Sequence, residues 1–340
     1  MINIIEAGIA STVQDNGRYG YKAFGVPQSG AFDSYAHNCA NILAGNSDDC
    51  ATLEIIGGGL HLQFHSDAFV AVAGAEMHCW LNEQPVTNWS AFPIAAGSRL
   101  RFCYASTGKC AYLAIRGGIQ TEPMLESRST YCRAGIGGSD GRLLKSGDEL
   151  PLLTDTDIPH TGLILPTAFI PVYDSVIALR CLIGPQSEYF SKQSILDFFS
   201  NPYSITPDFD RMGCRLHGKP LTHIIDSELI SQPLLPGAIQ APKSGQPIVM
   251  LADAQTCGGY PIIAVVINAD LSKMAQANAG DTVSFTLITQ KCAREIYIAE
   301  RLKLKQLTEF VNSARTNNTF NISVDKQDYM VSVRELPLDQ

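Results

Sequence analysis

Gly97-Ser98-Arg99-Leu100-Arg101-Phe102, Gly147-Asp148-Glu149-Leu150-Pro151-Leu152 and Gly280-Asp281-Thr282-Val283-Ser284-Phe285 are three copies of one device. In each, a Gly-Ser or Gly-Asp turn feeds a short segment with apolar residues at every second place, the period of a half-buried strand. Around them, Leu60-His61-Leu62-Gln63-Phe64 alternates in the same way. The short apolar runs at 68–73 and 248–252 suit strands buried on both faces. Three short matches do not make a duplicated domain, but they describe closed β-sheets with tight corners. The expected fold class is mainly β with a few helices.

The helices are sparse. Asp33 can cap a segment that carries Ala36, Cys39, Ala40 and Leu43 on one face and ends at Gly45. Residues 187–199 form a second candidate and 270–276 a very short third. The longest runs from 292 to about 314, where Ile296, Ala299, Leu304, Leu307, Val311 and Ala314 recur at helical spacing. Residues 321–324 and 329–333 suit a small hairpin. Pro159, Pro166 and Pro171 punctuate 153–175. The expected organisation is a β-rich domain over 1–160, a linker over 161–175, a second β-rich domain over 176–290, and a tail of helix plus small hairpin over 291–340.

Composition narrows the class of partner. The 340 residues make about two domains. With 25 basic and 33 acidic side chains the net charge is −8, which argues against nucleic acid or an anionic membrane as the main partner, because both demand a basic face. The chain begins Met1-Ile2-Asn3-Ile4-Ile5-Glu6, without a basic start, and no apolar run approaches the ~18 residues of a membrane span. Ten cysteines are scattered without a Cys-x-x-Cys pair. The expectation is a cytoplasmic protein with reduced thiols and no metal site.

Four stretches combine glycine with polar groups. The first runs through Asp15-Asn16-Gly17-Arg18 to Gln28-Ser29-Gly30 and Asp33. It reads as a hairpin with a capped helix behind it, and its two acids, arginine and serine also suit a polar pocket, the arginine offering a fork for carboxylate or phosphate. The second is Asp208-Phe209-Asp210-Arg211-Met212-Gly213-Cys214-Arg215, where two arginines four apart beside aspartates fit either an anion site or an ion-paired loop. The third joins Gly237-Ala238-Ile239-Gln240 to Asp253-Ala254-Gln255-Thr256-Cys257-Gly258-Gly259-Tyr260. There a buried strand ends in a loop with more polar groups than a turn needs, beside glycines that let backbone N–H groups approach a ligand oxygen. The fourth, Arg116-Gly117-Gly118 with Ser127-Arg128-Ser129-Thr130, suits a corner better than a phosphate loop. A P-loop, a Gly-x-Ser-x-Gly elbow and a His-Glu-x-x-His zinc motif do not occur.

Taken in order, these segments resemble the allophanate-hydrolase-subunit-2-like family, which includes the 5-oxoprolinase C subunit and the carboxyltransferase part of urea carboxylase. The resemblance runs through Gly8, 12–18, 26–33, 43–46, 53–58, 116–118, 127–131, 141–148, Gly184-Pro185, 210–218, 237–240, 253–260, Asp270 and Gln276. Phe209 stands where the family usually has serine, Glu126 replaces a glycine and Ala279 a proline. The resemblance implies two cyclophilin-like β-barrel domains and a component of an ATP-dependent 5-oxoprolinase that hydrolyses 5-oxoproline to L-glutamate with companion A and B subunits. ATP would sit on this chain or on a partner. Such chemistry wants donors for phosphate and a carboxylate to activate water, and the candidates are Asp15, Asp210 and Asp253 as catalytic groups, for base or orientation, with Arg18, Ser29, Arg211, Arg215, Gln240, Gln255, Thr256 and Tyr260 as substrate or phosphate contacts. Two alternatives stay open. One is the carboxyltransferase component of a urea carboxylase-like, biotin-dependent enzyme, although biotin itself is not expected here because the chain has no Met-Lys-Met. The other is a regulatory antagonist of a histidine-kinase inhibitor.

Overall fold

The computed structural model describes residues 1–153, 158–159, 161–225, 229–316, 318–324 and 327–333, with 316–333 described by backbone alone. The first lobe is a pair of six-stranded antiparallel sheets. In one, Ile2–Ala7 lies between Glu149–Leu150 and Leu60–Phe64, followed by Arg99–Phe102, Cys79–Leu81 and the edge strand Gln84–Val86. In the other the order is Leu163–Ile164, Ser90–Ile94, Ala68–Glu76, Thr107–Ile115, Thr52–Ile56 and Ala10–Gln14. Leu163–Ile164 comes from the proline-punctuated stretch and adds an edge strand to the first lobe.

The second lobe is a closed seven-stranded barrel. It is sealed by the parallel pairing of Val176–Ile183 with Thr282–Leu287. The three repeated turns behave alike: Gly97, Gly147 and Gly280 have φ of 83°, 89° and 94°. No atom lies within 4 Å of where a Cβ would stand on any of them. Glycine is needed there for the left-handed backbone and not for room.

Among the described residues four α-helices complete the architecture: α1 (Ser34–Ala44), α2 (Lys192–Ser200), α3 (Asn268–Ala275) and α4 (Gln290–Thr316). The α1 cap is the expected one. Asp33 accepts from the Ala36 N–H at 3.0 Å, and Gly45 closes the helix at φ 79°. The segment expected as one helix over 187–199 divides into a 3-10 turn at Ser187–Tyr189 and α2, because the Ser191 hydroxyl caps a fresh start through the Ser194 N–H at 3.1 Å. Beyond α4, Asn318–Val324 pairs antiparallel with Gln327–Val333.

Two cores explain the layering. Ile2, Ile4, Leu62, Phe64, Leu100 and Phe102 of the first sheet meet Val70, Val72, Leu113 and Ile115 of the second. The opposite faces of those same second-sheet strands present Phe69, Ala71, Ala73, Tyr112 and Ala114 to a larger core. That core takes in α1, the α4 residues Leu304, Leu307 and Val311, and the barrel interior. The strand Ala68–Glu76, apolar on both faces, is therefore buried on both. No helix among the described residues is long and apolar enough to cross a membrane.

Candidate functional site at the seam of the two lobes

The site begins with two glycine loops packed backbone to backbone. The Arg18 N–H donates to the Gln28 carbonyl and the Ala31 N–H to the Asp15 carbonyl, both at 2.8 Å. A Cβ on Gly17 would stand 2.7 Å from the Gln28 oxygen, and one on Gly30 2.9 Å from the Asn16 carbonyl carbon. The Asp15 carboxylate then draws in a third loop. It accepts from the Gly17 N–H at 2.8 Å, the Ser127 hydroxyl at 2.7 Å and the Arg128 N–H at 2.5 Å, and also from the Ser129 hydroxyl. Four donors on one carboxylate make Asp15 the knot of three loops, with little acceptor capacity left for a substrate proton.

Arg18 occupies the centre of this knot and is 1% exposed. Its Nη2 donates to the Ser129 carbonyl, while Nε and Nη1 have no partner among the described residues. Gly137 makes the room: a Cβ there would lie 2.1 Å from the Ser129 oxygen and 2.7 Å from Nη2. Among the described residues the Ser29 hydroxyl, on a left-handed backbone of φ 55°, is also buried without a partner, and Gln14 Oε1 is a fourth such atom. Burial lowers the Arg18 pKa, and the carboxylates of Asp15 and Asp253 work against that shift. Buried polar atoms left unpaired cost about 1–3 kcal/mol each, so the unused donors of Arg18 are a costly feature that an anion would satisfy.

Arg211 is arranged in the opposite way. It reaches from the barrel into the first lobe, where Nη1 meets Glu54 Oε1 at 2.5 Å and Nη2 donates to the Gly30 carbonyl at 2.6 Å. Nε and Nη2 clasp Asp253 at 2.8 and 3.0 Å. Glu54 is fully buried, and its Oε2 also accepts from the Tyr112 hydroxyl and the Phe32 N–H, both at 2.7 Å. Burial disfavours the Arg211 charge, but Asp253 and Glu54 outweigh it and lift the pKa well above the ordinary value. Read from sequence as an anion contact, Arg211 already has its anions. It ties the lobes, as does the buried Gln276, which donates to Asp33 and to the Cys110 carbonyl at 2.7 and 2.8 Å.

Of the remaining residues all but Thr256 line two adjoining cavities. One, of about 360 Å³, lies along the seam and is walled by Thr12, Gln14, Lys109, Phe209, Arg211 and Asp253. The other, of about 480 Å³, opens on the barrel and is lined by Asp210, Arg215, Gln240, Gln255 and Tyr260. Asp210 borders both cavities, and its Oδ1 holds the turn through the Met212 and Gly213 N–H groups at 2.8 and 3.1 Å. Arg215 is solvent-facing, 3.8 Å from Asp208. Gln240 is buried and donates to the Tyr260 carbonyl at 3.2 Å, and Gly258 leaves it room. Thr256 is held through its carbonyl by the Leu234 N–H at 2.8 Å. Phe209, the departure from the family pattern, packs on Phe32 with ring centroids 6.3 Å apart. It also receives the Lys109 ammonium 3.5 Å from its ring centre. The residues singled out from sequence thus divide into a buried knot with its tie and an open barrel cleft, which meet at Asp210.

Sequence reasoning missed Glu54 and Tyr112, which anchor Arg211, and treated Ser127 and Ser129 as part of a corner. A signal existed for Glu54: a carboxylate inside Thr52-Leu53-Glu54-Ile55-Ile56 has no water to turn to and needs a buried cation.

Two β lobes tied by a carboxylate-clamped arginine, with an anion-ready knot at their seam, belong to a defined class. The chain is a member of the carboxyltransferase domain family, subdomains A and B, whose model matches residues 24–287. Within that class it is 39% identical to the C subunit of 5-oxoprolinase from Escherichia coli (strain K12) over 308 residues, 90% of this chain and 94% of that protein. It is 36% identical to the C subunit of 5-oxoprolinase from Haemophilus influenzae over 314 residues, 92% of this chain and 99% of that one. The crystal structure of the K. lactis urea amidolyase superposes with a TM-score of 0.84 at 29% identity, covering 90% of this chain but only 20% of that much longer one.

Proposed function

We propose that this chain is the C-type component of an ATP-dependent 5-oxoprolinase, acting with A and B companion subunits to open 5-oxoproline to L-glutamate. The observation that carries the reading is the nearly end-to-end match with the bacterial C subunits, against a match to one fifth of urea amidolyase. The fold is equally at home in a biotin-dependent carboxyltransferase, and that is the second reading. A cytoplasmic location goes with either reading.

The chemistry asked of the seam follows from the substrate. A five-membered lactam is a stable amide; transfer of the γ-phosphoryl of ATP to its oxygen activates the carbon, water then adds and the ring C–N bond breaks to free the amine and leave an acyl phosphate, and a second water releases phosphate. ATP is a substrate of this reaction, bound by this chain or by a companion. Arg18 and Ser29, with unused donors, are suited to the carboxylate or phosphoryl oxygens. Asp210, exposed at the junction of the cavities with one carboxylate oxygen outside its turn, is the best-placed acid to activate water. Asp15 and Asp253 act as positioning groups, on the loop knot and on Arg211. Gln240, Gln255, Tyr260 and Arg215 shape the barrel cleft for substrate, and Thr256 follows Gln255 on the same loop.

Glutamate release from 5-oxoproline and ATP, measured with each of the three polypeptides omitted in turn, tests the reading. The complete set should be active and every omission silent. Arg18→Met should lower kcat/KM by about 100-fold or more, as the loss of a charge-assisted contact in a buried site does. Turnover without this chain, or full activity of Arg18→Met, would sink the assignment.

A further inference from the structure

The first sheet has an outer face that the seam does not use. Its inner residues pack on the second sheet, and α1 and the barrel lie beyond that sheet. Alternation along the strands puts His61, Gln63, Arg99 and Arg101 outside while Leu62, Leu100 and Phe102 point inward. The registers align the outer residues into rows. Glu6 pairs with His61, His61 with Arg101, and Arg101 with Trp80, while Gln63 pairs with Arg99 in the next row.

The turn between Cys79–Leu81 and Gln84–Val86 rims this face. Asn82 and Glu83 both have positive φ, 47° and 68°, the conformation of a tight two-residue hairpin. Asn82 is lashed to the neighbouring strand: its Oδ1 accepts from the Arg99 N–H at 2.8 Å and its Nδ2 donates to the Ser98 hydroxyl at 3.0 Å. The result is a preformed basin of about 600 Å³ lined by His61, Trp80, Asn82, Glu83, Arg99 and Arg101.

Its chemistry is unlike that of the surrounding chain. Among the described residues neither Arg99 nor Arg101 has a carboxylate within 4 Å, on a protein whose net charge is −8. Burial lowers the His61 pKa, the two arginines lower it further, and Glu6 opposes them. The imidazole is therefore neutral at neutral pH and can donate or accept. Trp80 is half-buried at the floor, whereas the other tryptophan, Trp89, is buried in the larger core. Two guanidiniums without a carboxylate partner among the described residues call for anionic oxygens, the half-buried indole lining the basin for a flat ring, and Glu83 for hydroxyl donors. A bare polyanion would be repelled by Glu83, and a purely aromatic ligand would leave the arginines unanswered. The sheet edge beside the basin is a three-residue strand carrying Pro85, which disfavours strand addition by a partner.

We propose that this basin is a second ligand site that takes a nucleoside phosphate, its base stacked on Trp80, its phosphates on Arg99 and Arg101, and its ribose hydroxyls on Glu83. The proposal needs no turnover and stands apart from the 5-oxoprolinase reading, so either can fail without the other.

Binding of ATP and ADP to the full-length chain is followed by the fluorescence of its two tryptophans and, independently, by calorimetry. The expected result is saturable quenching that is absent from Trp80→Phe. Adenosine alone and inorganic phosphate alone should bind at least about tenfold more weakly, because each makes only half the contacts. Arg101→Ala should weaken ATP binding by about tenfold or more by calorimetry, with thermal stability unchanged, since the side chain is exposed. Absence of ATP and ADP binding, or equal affinity in the wild type and Arg101→Ala, would overturn the proposal. So would a wild type that ignores nucleotides while Arg101→Ala loses a companion polypeptide, since the basin would then be a protein-docking face.

Discussion

Replacing Arg211 with methionine removes the cation that joins the lobes and leaves its shape largely in place. Two carboxylates would then be stranded. Glu54 has a fully buried side chain and Asp253 one that is 10% exposed. Glu54 would keep the Tyr112 hydroxyl and the Phe32 N–H, whereas the Asp253 carboxylate is held by the Arg211 guanidinium. Breaking a buried ion pair by deleting one partner costs about 3–5 kcal/mol. At about 2–4 °C per kcal/mol for a chain of this size, the melting temperature should fall by roughly 10 °C. Because the pair is shielded from solvent, the loss should persist in about 0.5 M salt, unlike that of a surface bridge. A companion change checks the cause: Arg211→Met with Glu54→Gln removes one stranded charge and should recover part of the loss. Scanning calorimetry of the wild type and both variants reads all three numbers. A melting temperature for Arg211→Met within about 2 °C of wild type would refute the argument that this arginine ties the lobes.

His37 is fully buried, paired with Thr52 at 3.0 Å and Asn41 at 3.3 Å, and burial lowers its pKa from 6.5 to about 4. Its contribution to stability is complete above pH 6.5 and is lost as the pH falls toward 4, where the unfolded chain takes up a proton that the folded one refuses. Wild type should lose up to about 3 kcal/mol over that window relative to His37→Gln, measured as the difference between their urea midpoints against pH. Gly137→Ala should destabilise the fold by about 1–3 kcal/mol and depress glutamate release further than its stability loss explains, since the new methyl meets the Ser129 oxygen and displaces Arg18. Gly147→Ala is the control: its φ is also positive, but with open space around it the effect should stop at about 1 kcal/mol and spare activity.

What could be read from the chain followed the range of the forces involved. The Asp33 cap and Gly45 stop of α1, the alternation of residues 60–64, and the glycine corners at 97, 147 and 280 are local decisions, written within a few residues of where they act. The polar residues around Asp15, Arg18 and Ser29 were visible as an unusual density. Their division of labour was not, because it depends on which carboxylate meets which donor across long stretches of chain. Asp15 is taken by Ser127 and Ser129, and Arg211 by Glu54, across separations that only the folded lobes close. Sequence therefore singled out these loops while giving knot, tie and open cleft the same role.

The strand Ala68–Glu76 is a party wall. One row of its side chains furnishes the sandwich and the other row furnishes the room shared by α1 and the barrel. A residue swapped on one side leaves its neighbour's volume untouched but tilts the backbone they have in common. Over evolutionary time neither half of this molecule can renovate its interior without the consent of the other, and the seam, framed by both, inherits that stiffness.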